Sequence, residues 1–479
     1  MTRQVYVPRV YQTPGTLHLL GHDRCALWGG MGVGKTSMVM TALDALYLAG
    51  ESQPTLVLGP LRVARKVWIN ETQKWEHLRN IEVSPIIGSV DERLAAMKVD
   101  ASIYTTNYEN LEWLINHWGD RWPYRTVVAD EATRLKGMRL AFRTSKKGKE
   151  FLAGQGTKRA GALGRIAHSK IKRFWELTGT PAPNGLIDLW GQIWFLDAGR
   201  RLGRTMDAFK QRWFVKSYDG YGSTPHSFAG AQIHAAIADI CLTIEGKDYF
   251  DLREPVVNNI YVDLPPKARN LYRDMENDMF IQLETHSAEA FGAAARTIKC
   301  LQLASGSVYV DPNAEDETSG TKEWKEVHNA KLEALESVVE ELNGAALLVC
   351  YEFRSDLARL QKAFPKGRVL KTQADEDDFK AGKFQVLFLH PASGGHGIDG
   401  FQNVCCNICF FSHSWNLEQN LQVIERIGPV RQMQAGFDRH VTIHNLIARD
   451  TVDELVRERI ESKRAVQDIL LDAMKTRRK

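Results

Sequence analysis

Eight consecutive residues, Gly29-Gly30-Met31-Gly32-Val33-Gly34-Lys35-Thr36, fit the pattern G-x-x-x-x-G-K-[ST]. Glycines at this spacing let backbone N–H groups curl around a phosphate at the N-terminus of the next helix, where the helix dipole favours an anion. In such a loop Lys35 reaches the β- and γ-phosphates and the Thr36 hydroxyl holds Mg2+. Gly30, Gly32, Gly34, Lys35 and Thr36 are therefore candidate nucleotide-binding residues, with ATP and Mg2+ as the expected ligands. Downstream, Val127-Val128-Ala129-Asp130-Glu131 places two carboxylates at the end of an apolar run. Ligands of open α/β sheets sit at such strand ends. Asp130 can hold Mg2+, and Glu131 can orient or deprotonate an attacking water. A glycine-rich turn with an incidental lysine, or a solvated Asp-Glu helix start, is the bland reading of each motif taken alone. Together, and in this order, they point to phosphoanhydride chemistry.

Elements must position these groups. Residues 25–28 (CALW) read as a short strand before the glycine loop, and 37–48 (SMVMTALDALYL) as a helix after it. Further apolar, β-branched-rich runs recur at Thr55–Gly59, Thr126–Asp130, 174–179, 346–353, 385–390, 407–412 and 440–447, separated by helical stretches. Near-continuous apolar strands alternating with helices indicate parallel sheets covered on both faces, an α/β class. The runs fall into two sets. The spacing predicts an ATP-binding lobe over 1–195, a helical insertion region over 196–325, and a second lobe with a C-terminal helix over 326–479. A length of 479 residues suits two or three domains. Lys+Arg 62 against Asp+Glu 58, with 44% apolar residues, is ordinary globular composition and excludes disordered or collagenous chains. No apolar run has the length of a membrane span, and residues 1–10 lack the apolar core of a signal peptide. Seven cysteines are too few for a disulfide scaffold. Cys405, Cys406 and Cys409 lie in an apolar run with no evident fourth metal ligand and read as buried small residues. The expectation is a cytoplasmic protein, in a bacterium or a phage-infected cell, with no membrane partner.

At this point a family resemblance is visible over nearly the whole chain. Residues 130–136 (DEATRLK) resemble the DEAH-RLKN element of the Swi/Snf family of superfamily-2 helicase-like ATPases, and 177–184 (LTGTPAPN) resemble its LTGTPLQN motif. Tyr11-Gln12 is similar to the segment whose glutamine contacts adenine. Gly59-Pro60 with Trp68 and Trp75, and then 105–109 (TTNYE), resemble two strand-contacting motifs. In the second half 264–267 (LPPK), 300–309, 331–335 (KLEAL), 349–357 (VCYEFRSDL), 393–397 (SGGHG) and Ser414-Trp415-Asn416 follow the family in the correct order. The wording of 390–397 and the compact size suggest a phage or bacterial mobile-element member. The resemblance implies two RecA-like lobes and a DNA-stimulated ATPase that moves on duplex DNA. It also implies adenine contact by Gln12, ribose contact by Asp399, coupling by Thr178 and Thr180, and nucleic-acid contacts by Arg62, Thr106, Arg354, Ser393, Gly395 and Trp415. The family's arginine element departs here. Its first arginine is Arg426, but the second position is Pro429, with Arg431 two residues later. Proline fixes φ, so the chain is expected to turn at Pro429 and swing Arg431 toward the missing position. Arg426 and Arg431 are thus candidate catalytic cations beside Lys35 and Glu131, and an arginine finger changes hydrolysis rates by about 10³–10⁵.

Local charge also points to nucleic acid. Residues 134–173 hold 13 Lys/Arg and one acid, Glu150. Such a run reads either as a solvated loop or as a phosphate-contacting surface, with Lys146, Lys147 and Lys149 at its densest point. Three other functions stay open on sequence alone: a strand-separating helicase, a weakly catalytic nucleic-acid-binding ATPase degraded at Pro429, and a P-loop kinase. The last leaves the second half without a task.

Overall fold

The structure, a computed structural model, describes residues 3–30, 32–144, 150–216, 223–285, 290–309, 324–394 and 399–463. The chain divides into two compact units, Met1–Phe250 and Asp251–Ser462.

The first unit is built on strands β1 (Arg24–Gly29), β2 (Thr55–Gly59), β3 (Val83–Pro85), β4 (Ile103–Asn107), β5 (Thr126–Asp130), β8 (Arg173–Thr178) and β11 (Cys241–Ile244). They form one sheet in the order β11-β1-β8-β5-β2-β4-β3, and every pairing is parallel. Every residue of β2, β4, β5 and β8 is buried. This is the reason these strands read as unbroken apolar runs rather than as alternating ones. Successive side chains enter opposite cores: Val127 and Phe174 join Trp28 and Trp190 on one face, while Val128 and Trp175 join Leu27 and Val57 on the other. Helix 189–197 (LWGQIWFLD) is apolar all round and buried at every position, as a helix with no polar face must be. Two antiparallel hairpins stand apart from the sheet: β6 (Met138–Thr144) with β7 (Glu150–Gly156), and β9 (Phe214–Lys216) with β10 (Ser223–Pro225).

The second unit carries β12 (Val256–Val262), β15 (Ala346–Cys350), β16 (Arg368–Val369), β17 (Val386–Leu389), β18 (Cys405–Phe410) and β19 (Thr442–Ala448). They form a second parallel sheet in the order β12-β19-β18-β15-β17-β16. A small hairpin, β13 (Ser307–Tyr309) with β14 (Trp324–Glu326), precedes β15. The fold is therefore two parallel-sheet α/β lobes.

The expected insertion at 196–325 is not a body of its own. Residues up to Phe250 belong to the first unit, where β11 extends the sheet beside β1, and those from Asp251 belong to the second, where β12 pairs with β19 along seven residues. Helices such as Met206–Trp213, Ala229–Ile237 and Pro266–Thr285 do fill much of the stretch. β12 was not legible because its sequence, VVNNIYV, mixes polar and apolar residues on an edge strand that is largely exposed. Among the described residues no helix is long and apolar enough to cross a membrane.

Candidate functional site

β1 runs from Arg24 to Gly29, and the glycine loop leads from it into helix α2 (Lys35–Leu48). Gly32 and Gly34 both have φ 81°, in the left-handed region that glycine tolerates. Gly34 caps α2. A Cβ at that position would stand 2.4 Å from Gln12 Nε2 and 2.9 Å from Ser37 Oγ, so any other residue there would be strained by φ and would push Gln12 aside. Gln12 opens helix α1 (Gln12–Gly21), and its amide ties the loop down. Nε2 donates to the Val33 carbonyl at 3.2 Å, while Oε1 accepts from the Arg9 backbone at 2.8 Å and from the Tyr6 hydroxyl at 3.3 Å. On the far side of the loop the Gly30 N–H donates to the Ile244 carbonyl at 3.2 Å, so β11 braces it as well. The Lys35 ammonium donates to the carbonyls of Gly29 at 2.6 Å and Gly30 at 3.2 Å, which holds the cation over the loop. Positive-φ glycines, a helix N-terminus and a cation held on the loop together fit a phosphate chain.

Because all strands are parallel, the segments after β1, β8 and β5 emerge at one edge of the sheet, with β8 between the other two. Asp130 ends β5 and is 8% exposed. Burial raises the proton affinity of its carboxyl, and the Lys35 charge and the Trp68 indole draw it back down. A buried carboxylate near the phosphate loop is a place where a cation is favoured. Among the described residues no group of three or more His, Cys, Asp or Glu could hold a metal ion. One carboxylate plus the Thr36 hydroxyl suits Mg2+, which takes most of its ligands from water and phosphate oxygens. Glu131 follows in a left-handed conformation, φ 60° and ψ 58°, at the start of a short 3-10 turn, 132–135. Thr178, at the end of β8, is fully buried and its Oγ1 accepts from the Thr180 N–H at 3.0 Å. Thr180 is also buried, and its own Oγ1 has no hydrogen-bond partner among the described residues. The two threonines therefore stiffen the turn between β8 and Pro181.

The nucleic-acid candidates fare differently. Thr106 is corrected: it is wholly buried, and its hydroxyl donates to the Ile86 carbonyl at 2.8 Å. It holds β4 against the segment after β3 and has no surface to offer. Arg62 is half-buried ahead of the turn 63–67. Arg354 is exposed at the start of helix α4 (Arg354–Ala363), and Trp415 is 36% exposed. Ser393 lies in the short helix Pro391–Gly394. Gly395, Lys146, Lys147 and Lys149 lie outside the described residues. The basic stretch around those lysines is less free than its sequence suggested. Arg134 and Arg159 both approach Glu109, at 3.8 and 3.7 Å, and Lys136 pairs with Asp188 at 3.4 Å. Lys170 pairs with Asp120, and Arg173 with Glu51 and Asp23. The acids come from elsewhere in the sequence, so a count confined to 134–173 overstates the net positive surface.

In the second unit, helix α5 (Leu417–Ile424) ends just before Arg426, which is 7% exposed. Gly428 caps the next helix, α6 (Pro429–Gln434), with Pro429 at its first position. The turn therefore precedes Pro429, and the proline starts a helix, where its missing N–H costs nothing. Arg431 and Asp399, expected to serve hydrolysis and the ribose separately, are bonded to each other through Nη1 and Oδ1.

Sequence reasoning missed several residues that hold the site. They are Tyr6 and Arg9 around Gln12, Ile244 against the loop, and Tyr108, whose hydroxyl donates to the Asp130 carbonyl at 3.0 Å. It also missed Glu176, fully buried on β8 with both carboxyl oxygens lacking a hydrogen-bond partner among the described residues. A glutamate inside an apolar strand run was the one signal available for the last of these.

A model of the SNF2-related domain matches residues 21–151, the segment from β1 through the Asp-Glu pair into β7. The chain is 50% identical to putative protein p41 of Acyrthosiphon pisum secondary endosymbiont phage 1, over 98% of its own length and 99% of that protein. It is 22% identical to the transcription regulatory protein SNF2 of Saccharomyces cerevisiae, over 93% of its own length but only 26% of that protein. Among solved structures it is similar to the Sulfolobus solfataricus SWI2/SNF2 ATPase core in complex with dsDNA, at 20% identity and a TM-score of 0.42, covering 98% of this chain and 95% of that one.

Proposed function

Since the chain belongs to the Swi/Snf family of superfamily-2 helicase-like ATPases, we propose that it is an ATP-hydrolysing nucleic-acid motor that translocates on duplex DNA. The observation that carries this reading is the joint placement of the glycine cradle with Lys35 and the buried Asp130–Glu131 pair at one edge of a single parallel sheet. Lys35 exchanges its loop carbonyls for phosphate oxygens, a transfer that keeps the ammonium hydrogen-bonded throughout. Gln12 retains an amide proton beyond the one given to Val33, which is available to a purine nitrogen. Mg2+, when bound through Asp130 and Thr36, supplies neutralisation of charge on the β- and γ-oxygens. Glu131 takes the proton of the attacking water. Arg426 is the cation that the family resemblance assigns to hydrolysis, where charge develops.

Duplex DNA as the track is supported by the family resemblance. The test is an ATPase assay with no nucleic acid, single-stranded DNA, duplex DNA and RNA. Duplex-selective stimulation is the expected result. Stimulation by single strands with unwinding would assign a strand-separating helicase, and nucleic-acid-independent phosphoryl transfer to a small molecule would assign a kinase. Lys35→Ala should abolish turnover while DNA binding persists. Glu131→Gln should bind ATP without hydrolysing it. Wild-type turnover in both variants would remove the proposed chemistry.

A further inference from the structure

The carboxylate proposed to activate water sits on an uncomfortable backbone. Glu131 is a non-glycine residue at φ 60° and ψ 58°. A side chain in this region is disfavoured and persists only where its surroundings hold it. Part of that restraint comes from one residue. Tyr108, which follows β4, is 1% exposed. Its hydroxyl donates to the Asp130 carbonyl at 3.0 Å and lies 3.5 Å from the Glu131 carbonyl. These oxygens belong to the two peptide planes that flank the Glu131 Cα. Fixing both planes fixes the direction of the Cα–Cβ bond, and with it the origin and the reach from which the carboxylate acts.

The neighbouring residues tighten the same turn. Glu109 accepts from Asn107 Nδ2 at 2.9 Å and lies within 4 Å of the Arg134 and Arg159 guanidiniums. Arg159 in turn donates to the Arg134 carbonyl at 3.0 Å, and the Arg134 N–H donates to the Glu131 carbonyl at 3.0 Å. The turn after β4 thus grips the Asp-Glu segment at its start through Tyr108 and at its 3-10 turn through Glu109. The Tyr108 ring packs in the core with Trp28 and Ala129, and that role needs no hydroxyl. The hydroxyl is the part with a distinct task.

We propose that Tyr108 is a positioning residue for hydrolysis, its hydroxyl holding the left-handed bend that aims the Glu131 carboxylate at the attacking water. This rests on the hydrolase reading above. Tyr108→Phe isolates the claim, because it keeps the buried ring and the parallel ladder of β4 and removes one oxygen. On saturating duplex DNA, kcat should fall at least tenfold while KM for ATP and the affinity for ADP stay within twofold. Binding of ADP with aluminium fluoride, which mimics the transferring phosphoryl group, should weaken by the same factor as kcat. A purely structural hydroxyl would lower the unfolding midpoint without separating ADP from the transition-state mimic. The proposal is overturned if kcat stays within twofold of wild type. It is equally overturned if ADP affinity falls in step with kcat. Wild-type turnover in Lys35→Ala and Glu131→Gln would instead strike the hydrolase reading, so the two failures are distinguishable.

Discussion

Glu176 offers a measurement that depends on almost nothing but its surroundings. It lies on β8 with Ala26 of β1 on one side and Ala129 of β5 on the other, wholly buried and without a hydrogen-bond partner for either oxygen among the described residues. Burial pushes its carboxyl well above the ordinary carboxylate range. In the unfolded chain it ionises near the usual value of about 4.3. Between that pH and its raised value the folded protein holds one more proton than the unfolded chain, so stability falls as pH rises. The slope is about 1.4 kcal/mol per pH unit for one proton. Glu176→Gln keeps the shape and removes the titration. Below pH 4 the two proteins should unfold alike. Above pH 5, for as long as the folded carboxyl keeps its proton, they should diverge by about 1.4 kcal/mol per pH unit, or roughly 3–6 °C in Tm for a unit of this size, with the glutamine variant the more stable. Tryptophan fluorescence is the natural assay, because all of the 12 tryptophans except Trp324 and Trp415 lie in the first unit. Parallel stability curves for the two proteins would show that Glu176 is ionised or partnered in the fold, and the reasoning would fail.

The remaining predictions concern the cradle, the second unit's arginines and a buried ion pair. Gly34→Ala forces a side chain into a left-handed cap and against Gln12; labelled-nucleotide titration should show affinity for ADP lowered at least tenfold, and an unchanged Kd would count against the cradle. Arg426→Ala should reduce DNA-stimulated turnover by about 10³-fold or more with ATP binding kept, whereas turnover within tenfold of wild type would remove Arg426 from the chemistry. Because Arg431 and Asp399 are bonded, Arg431→Ala, Asp399→Ala and the double variant should slow steady-state hydrolysis by similar factors, and additive losses would mean that they act separately. Lys331 and Asp453 are both fully buried with Nζ 2.5 Å from Oδ2; Lys331→Met should cost about 3–5 kcal/mol by calorimetric unfolding. Adding Asp453→Asn, which retains an acceptor for the Ala448 N–H, should restore more than half of that, and no recovery would place the loss in packing rather than in the stranded charge.

Much of the candidate site was legible because its chemistry is local. The phosphate cradle needs glycines at fixed offsets before a helix, so Gly32, Gly34, Lys35 and Thr36 are written consecutively, and the loop adopts the left-handed turns that this spacing demands. The Asp-Glu pair closes an apolar run, and strands buried on both faces leave that run in the sequence whatever their order in the sheet. Sequence therefore determined the class of fold, the glycine loop before its helix, the buried carboxylate at the strand end and the family. It did not determine the order of strands that puts β8 between β1 and β5, nor the assignment of β11 and β12 to different sheets. Those depend on pairings between residues far apart in the chain, which no local pattern records. The same holds for charge. The basic run at 134–173 meets Glu109, Asp188, Asp120, Glu51 and Asp23, acids that only folding brings to it. Thr106 looked available until β4 was packed against the segment after β3, and Tyr108, in a stretch that resembled a strand-contacting motif, is buried with its hydroxyl on the Asp130 carbonyl. A residue's type is local, but its partner is not, because hydrogen bonds and ion pairs are settled by distances of a few ångströms that the chain closes only when the sheet forms.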